Sequence, residues 1–181
     1  EVHVDPAVFE PAVAERLADG GNAPAVDRDA ADERRPVAVF GRAAPLILEI
    51  GYGMGNSLIE MASQAPGCDF IGIEVHTPGV GSLLHKASEQ SLTNLGTFMA
   101  DATDVLRECI AVQSLSRIQI YFPDPWPKKK HHKRRLVQRE IAELLASRLQ
   151  AGGLLHLATD WQPYAEHMHD VLTQMTCLEN Q

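Results

Sequence analysis

Five short apolar runs organise the chain from residue 46 onward: LILEI (46–50), FIGIE (70–74), TFMA (97–100), RIQIYF (117–122) and LLHLAT (154–159). Each is rich in branched or aromatic residues and too short for a buried helix, so each predicts a strand. Between and after them, apolar positions recur at helical spacing over 57–65, 81–91, 103–111, 134–150 and 164–174. Gly152, just past the fourth of these segments, reads as the C-terminal cap of its helix. Alternating strand and helix predict an α/β fold, a mostly parallel sheet with helices on both faces. The pattern fades before residue 42. A weak amphipathic period over 6–17 allows a short helix, and the Pro-, Ala-, Asp- and Gly-rich stretch 19–36 reads as linker. The expected organisation is an N-terminal extension over 1–41, partly flexible, followed by one domain over 42–181.

An open parallel sheet binds ligands outside the carboxyl ends of its strands. The residues expected there are Glu49 with the Gly51–Gly53–Gly55 loop, Glu74, Asp101, Asp124 and Asp160. Singly, each fits a turn or cap, where acids are common. Together they form a row of carboxylates that is costly unless a ligand with cationic or hydroxyl groups occupies it. The E-x-G-x-G-x-G loop lets backbone approach a bound molecule closely, and Glu74 lies 19 residues after Gly55, where an acid takes a ribose hydroxyl pair. A nucleoside-bearing cofactor follows. The dinucleotide fingerprint G-x-G-x-x-G needs one more residue before its third glycine, and position 56 is Asn. An acid at Glu49 is unfavourable beside a pyrophosphate and favourable beside an ammonium. S-adenosylmethionine, with a positive amino group and a positive sulfonium, fits best; Asp101, preceding Ala102, would then lie near the adenine.

Charge adds a second ligand. The 181 residues carry a formal charge of -8, yet positions 128–135, KKKHHKRR, hold six Lys or Arg. Such a run is commonly a solvated helix start. On an acidic body it also forms one face able to orient a polyanion by counterion release. No apolar run approaches the ~18–20 residues that cross a bilayer, and the first twenty residues lack a signal-peptide pattern, so a cytoplasmic protein without membrane contact is expected. Cys68, Cys109 and Cys177 lack C-x-x-C spacing and are expected to be reduced and packed. His167 and His169, two apart, do not share a helix face, and no metal site is expected.

LEIGYGMGNSL, FIGIEVHTPGVGSLL, the Asp101–Ala102 pair, IYFPDPWPKKKHHKRRLVQ and LHLATDWQPYAEHM together resemble the bacterial tRNA (guanine-N7)-methyltransferase family, TrmB, over about residues 42–175. PDPWPKK followed by HHKRR is the most specific piece. The resemblance implies a Rossmann-like class I S-adenosylmethionine-dependent methyltransferase fold. It also implies a tRNA partner, with N7 of a guanine in the variable loop, position 46, as methyl acceptor. Carried over residue by residue, Glu49, Glu74, Asp101 and Asp124 fall on the family's cofactor-contacting acids, and Asp124 also on its catalytic position. Lys128 and Asp160 fall on substrate-contacting positions, and Lys130, His131, His132, Lys133, Arg134 and Arg135 on the RNA-interaction segment.

Guanine N7 has a free lone pair, so its methylation needs no general base. The site must align the reacting atoms and stabilise a cation developing on the purine. Asp124, framed by Pro123, Pro125 and Pro127, is suited to accept from the guanine N1–H and amino group; Trp126 either stacks on a base or packs beneath the loop. The family pattern continues through two further strands and a Thr-Lys-Phe-Glu segment that this sequence does not contain, so the C-terminal strands of the fold are expected to be truncated. The alternative reading is a cofactor- and RNA-binding module with little turnover for that reason. Residues 1–41 also do not display the family's basic N-terminal element. A monomer and a homodimer are equally compatible with the sequence.

Overall fold

The structure is a computed structural model that describes residues 2–6 and 40–180. Its six strands are β1 (Val2–Pro6), β2 (Leu46–Ile50), β3 (Asp69–Glu74), β4 (Leu95–Met99), β5 (Leu115–Tyr121) and β6 (Leu149–Ala158). They form one sheet in the order β1-β6-β5-β2-β3-β4. The five strands from residue 46 onward are parallel, as the alternating pattern predicts. β1 joins antiparallel to β6, with Val2 opposite Leu155. The sequence pattern does not announce this strand; the helix expected over 6–17 and the linker over 19–36 lie outside the described residues, apart from Pro6.

Among the described residues five α-helices accompany the sheet: α1 (Asn56–Gln64), α2 (Thr77–Glu89), α3 (Ala102–Glu108), α4 (Arg139–Arg148) and α5 (Gln162–Leu172). Both sheet faces are covered, which is why the central strands β2 and β3 are buried along nearly their whole length rather than at alternate positions. Leu48, Ile50, Ile71, Ile73, Ile118 and Ile120 pack with Leu106 of α3 and Leu145 of α4. Phe70 packs on the opposite side with Leu58 of α1, Leu83 of α2 and Tyr52. Burying side chains of this size stabilises the fold by about 1.5–3 kcal/mol each.

The segment expected as a helix over 134–150 divides into three. Lys129–Arg134 is a 3-10 turn, residues 135–138 are non-helical with a bend at Leu136, where the Gln138 N–H donates back to the Leu136 carbonyl at 3.0 Å, and α4 begins only at Arg139. Arg135 and Val137 are buried and Leu136 and Gln138 half-buried, and Val137 packs against Tyr164 and Met168 of α5. Gly152 caps no helix: α4 ends at Arg148, Leu149 already belongs to β6, and Gly152 lies inside that strand with φ +89°. Leu149 and Leu155, 0% and 1% exposed, draw the chain into the sheet on both sides of that glycine. α2 starts four residues before the expected 81, because Pro78 fits the first helical turn. Cys68 and Cys109 are half-buried and free, whereas Cys177 is exposed rather than packed.

Strand register brings the carboxyl ends to one edge. Ile50 sits beside both Ile73 and Ile120, Glu74 beside Met99, and Tyr121 beside Ala158. From β2 the chain moves outward through β3 to β4, then returns to the other side of β2 to form β5. The loops after β2 and β5 therefore diverge from adjacent strands, the arrangement that opens a ligand crevice in doubly wound sheets.

Candidate active site

The loop after β2 is built from left-handed backbone: Gly51, Gly53 and Gly55 have φ of +75°, +56° and +74°. A side chain at Gly51 or Gly53 would meet nothing within 4 Å, so the loop faces open space there; one at Gly55 would strike Leu83 of α2 at 2.5 Å. Glu74, at the end of β3, holds the loop in place. One carboxylate oxygen accepts the Gly53 N–H at 2.9 Å, and the other accepts those of Val75 and His76 at 2.7 and 3.0 Å. Lys86 and Ser82 on α2 donate to the Met54 carbonyl from the same side.

Glu49 lies beneath this loop and is 2% exposed. Its oxygens accept from Gln119 of β5 at 2.9 Å and from Ser57 of α1 at 3.2 Å. Burial pushes its carboxyl above the ordinary value, and the two neutral donors only partly oppose that. Among the described residues no cation pairs with it. Asp101 caps α3, accepting the Thr103 N–H at 2.8 Å, with Ala102 as the first helical residue. The turn-and-cap reading and the rim reading thus coincide at Asp101.

Across the crevice, the Phe122–Pro127 loop carries Asp124. Phe122 and Trp126, on either side of it, have φ of +50° and +42°. Left-handed backbone is unfavourable for bulky side chains and persists where surrounding contacts impose it. Phe122 is 66% exposed at the rim. Asp124 and Asp160 are also exposed, and no described residue hydrogen-bonds either carboxylate. Tyr121 points inward, its hydroxyl donating to Gln119 at 3.3 Å and lying 3.1 Å from His156.

The basic segment closes over this loop. Trp126 packs rather than standing free: the Arg134 guanidinium lies 4.9 Å from its ring centre, and His131 meets it edge-on at 5.8 Å. Lys128, Lys129, Lys130, Lys133 and Arg134 are exposed, and His131 and His132 half-buried. Arg135 differs from all of them at 4% exposed. It lies under the basic surface, donating to the Pro125 carbonyl at 2.9 Å, with its guanidinium 4.8 Å from the Tyr164 ring centre.

Sequence reasoning missed Gly79. A side chain there would collide with the Gly53 carbonyl oxygen, so this glycine lets α2 abut the glycine loop; the only trace in the sequence is T-P-G at the helix start. It also missed the strain at Phe122 and Trp126, which no residue type announces. An apolar cleft of about 500 Å³ runs between β6 and α5, lined by Leu155, Leu157, Met168, Leu172 and Leu178. It offers no carboxylate and is not the rim crevice. No cluster of three or more His, Cys, Asp or Glu side chains suited to a metal occurs among the described residues, and no helix among them is long and apolar enough to cross a membrane.

A family model described as "Putative methyltransferase" matches residues 43–181. The tRNA (guanine-N(7)-)-methyltransferase of Saccharophagus degradans is 56% identical over 145 residues, 80% of this chain and 63% of that protein. The protein of the same description from Pseudomonas fluorescens is 60% identical over 134 residues, 74% of this chain and 56% of that protein. The chain thus spans about three fifths of the length of these curated relatives. Among solved structures, a precorrin-6y C5,15-methyltransferase from Geobacter metallireducens superposes with a TM-score of 0.58 at 16% identity, covering 74% of this chain and 63% of that one. A SAM-dependent O-methyltransferase from Thermotoga maritima gives 0.56 at 10% identity, covering 91% of this chain and 56% of that one. At such identities the likeness shows the fold, the Rossmann-like methyltransferase sheet. The chain belongs to the methyltransferase family matched over residues 43–181, with tRNA (guanine-N7)-methyltransferases as its curated relatives.

Proposed function

We propose that the chain forms the catalytic domain of an S-adenosylmethionine-dependent tRNA (guanine-N7)-methyltransferase acting in the cytoplasm, with the variable-loop guanine at tRNA position 46 as acceptor. The observation that carries this reading is the juxtaposition at the switch point: a glycine loop with a buried carboxylate on one side, and on the other an exposed Asp124 beside five exposed cations. The two curated relatives bear the name of that activity.

The residues fit the cofactor. Glu49 is a buried carboxylate whose described partners are neutral, an environment that an ammonium would complete. Open space above Gly51 and Gly53 admits a ligand against backbone. Glu74 can offer its carboxylate to ribose hydroxyls, and Asp101 with Ala102 lies at the start of α3, where the adenine would rest. S-adenosylmethionine, when bound, would supply a methyl group on a sulfonium, which a neutral nucleophile with a free lone pair can take without first losing a proton, the C–S bond breaking to leave S-adenosylhomocysteine as a neutral thioether.

The chain's own work is orientation and charge. Asp124 accepts from the guanine N1–H and amino group, turning N7 toward the donor and stabilising positive charge on the purine. Asp160, at the end of the neighbouring strand, and Lys128 contact the acceptor nucleotide. Lys130, Lys133, Arg134 and the two histidines face the surrounding phosphates, where affinity comes from counterion release and recognition from RNA shape.

The test is methyl transfer from labelled donor to bulk tRNA, followed by mass analysis of the nucleosides. The expected product is 7-methylguanosine, lost when the guanine at position 46 is replaced. Label in another nucleoside, or transfer only to small acceptors or protein, would overturn the reading.

A further inference from the structure

We propose that Arg135 is a positioning residue for Asp124 rather than a phosphate ligand, acting by fixing the Phe122–Pro127 loop from behind; this rests on the role given to Asp124 above. The loop has a left-handed aromatic residue on each side of Asp124, so it needs an external hold. Arg135 supplies one. Its Nε donates to the Pro125 carbonyl at 2.9 Å, next in sequence to Asp124. Its Nη1 donates to the Pro163 carbonyl of α5 at 3.5 Å, its Nη2 lies 3.3 Å from His132 Nε2, and its central carbon lies over the Tyr164 ring. Tyr164, 0% exposed, is itself fixed because its hydroxyl accepts the Val137 N–H at 3.1 Å. The Tyr164 phenol is raised mainly by burial, and among the smaller influences Arg135 lowers it while Asp124 raises it, which places all three in one electrostatic neighbourhood. A guanidinium joins two carbonyls and stacks on a ring in a way that an ammonium does not reproduce. Being 4% exposed, Arg135 has almost no surface to offer a phosphate.

The experiment compares Arg135→Lys, Asp124→Ala and the double variant in the full chain, measuring kcat, tRNA affinity with its salt dependence, cofactor affinity and melting. Arg135→Lys keeps the charge. We expect its kcat to fall about tenfold to a hundredfold, the scale of a small misplacement of a reacting group, with tRNA and cofactor affinities and the salt slope almost unchanged. The double variant should be no slower than Asp124→Ala alone, since both act through one carboxylate. An unchanged kcat in Arg135→Lys overturns the proposal while leaving the function intact. So does weaker tRNA binding with a shallower salt slope, which marks a phosphate ligand, or a loss of folding and cofactor binding together, which marks a general structural role. Near-normal turnover in Asp124→Ala would remove both this proposal and the catalytic reading of the loop.

Discussion

The two halves of the rim treat their carboxylates in opposite ways. On the β2–β4 side, Glu49, Glu74 and Asp101 are already engaged by the protein's own donors, and Glu74 accepts three backbone N–H groups. On the β5–β6 side, Asp124 and Asp160 are exposed and make no hydrogen bond within the described residues. A preformed cradle suits a small ligand that must be gripped closely through backbone. An open carboxylate, on a loop held from behind by Arg135, suits a base delivered by a large RNA that brings its own hydrogen-bond donors. Rigidity on the first side comes from contacts within the site, and on the second from contacts behind it.

The largest effect that would sharpen this contrast is expected at Asp124. Asp124→Ala should lower methyl transfer by at least about a hundredfold, the scale of losing one preorganised electrostatic group, while melting stays close to the parent because nothing described rests on that carboxylate. Asn should restore little. Turnover near normal would make Asp124 a turn residue and dissolve the difference between the two sides.

Next comes the RNA face. Neutralising Lys130, Lys133 and Arg134 together should weaken tRNA binding by a similar factor for every tRNA, and reduce the salt slope by about one unit for each phosphate that no longer meets a cation. Cofactor affinity should hold, as the cradle lies across the crevice. Binding with the parent's strength and salt slope would leave the run as a solvated turn.

A matched pair of glycines tests the cradle. Gly79→Ala should push α2 off the Gly53 carbonyl, costing about 1–3 kcal/mol of stability and weakening cofactor binding. Gly81→Ala, two residues on, meets nothing within 4 Å and should be neutral or stabilising by up to about 1 kcal/mol. Equal melting and equal cofactor titrations for the two would show that the abutment of α2 on the loop is unimportant.

The smallest effect concerns the buried acid. Burial raises the Glu49 carboxyl above 4.5, so the folded cofactor-free protein holds that proton more tightly than the unfolded chain does. Its contribution to stability is complete below about pH 4.5 and is lost as pH rises through the raised value. Glu49→Gln should flatten that part of the melting-temperature profile and raise melting at pH 7, by about 2–4 °C for each kcal/mol relieved, while weakening cofactor binding. A variant with the parent's pH profile would mean that the carboxyl is not under this strain.

Much of the parallel sheet and the glycine-loop half of the rim could be read directly, because both depend on local pattern. LILEI followed by GYGMG states a buried strand and a left-handed turn in ten consecutive residues, and FIGIE ends on the acid that holds that turn. The basic segment was legible as charge but not as shape. Arg135 looks identical to Arg134 in the sequence; one lies beneath the loop and the other stacks on Trp126 at the surface. The helical spacing over 134–150 misled for the same reason, since Val137 is buried by Tyr164 and Met168, which are distant in the chain.

The amino-acid sequence by itself determined the α/β alternation, the glycine cradle, the row of strand-end acids and the concentration of positive charge. These follow from residue type and short-range spacing, which act through backbone sterics and hydrophobic periodicity whatever the rest of the chain does. Tertiary structure alone decided which cation faces solvent, which glycine admits a helix against the loop, that β1 pairs with β6, and that Asp124 is held by strained backbone. Each of these depends on contacts between residues remote in sequence, where packing and hydrogen bonding worth a few kcal/mol override local preference.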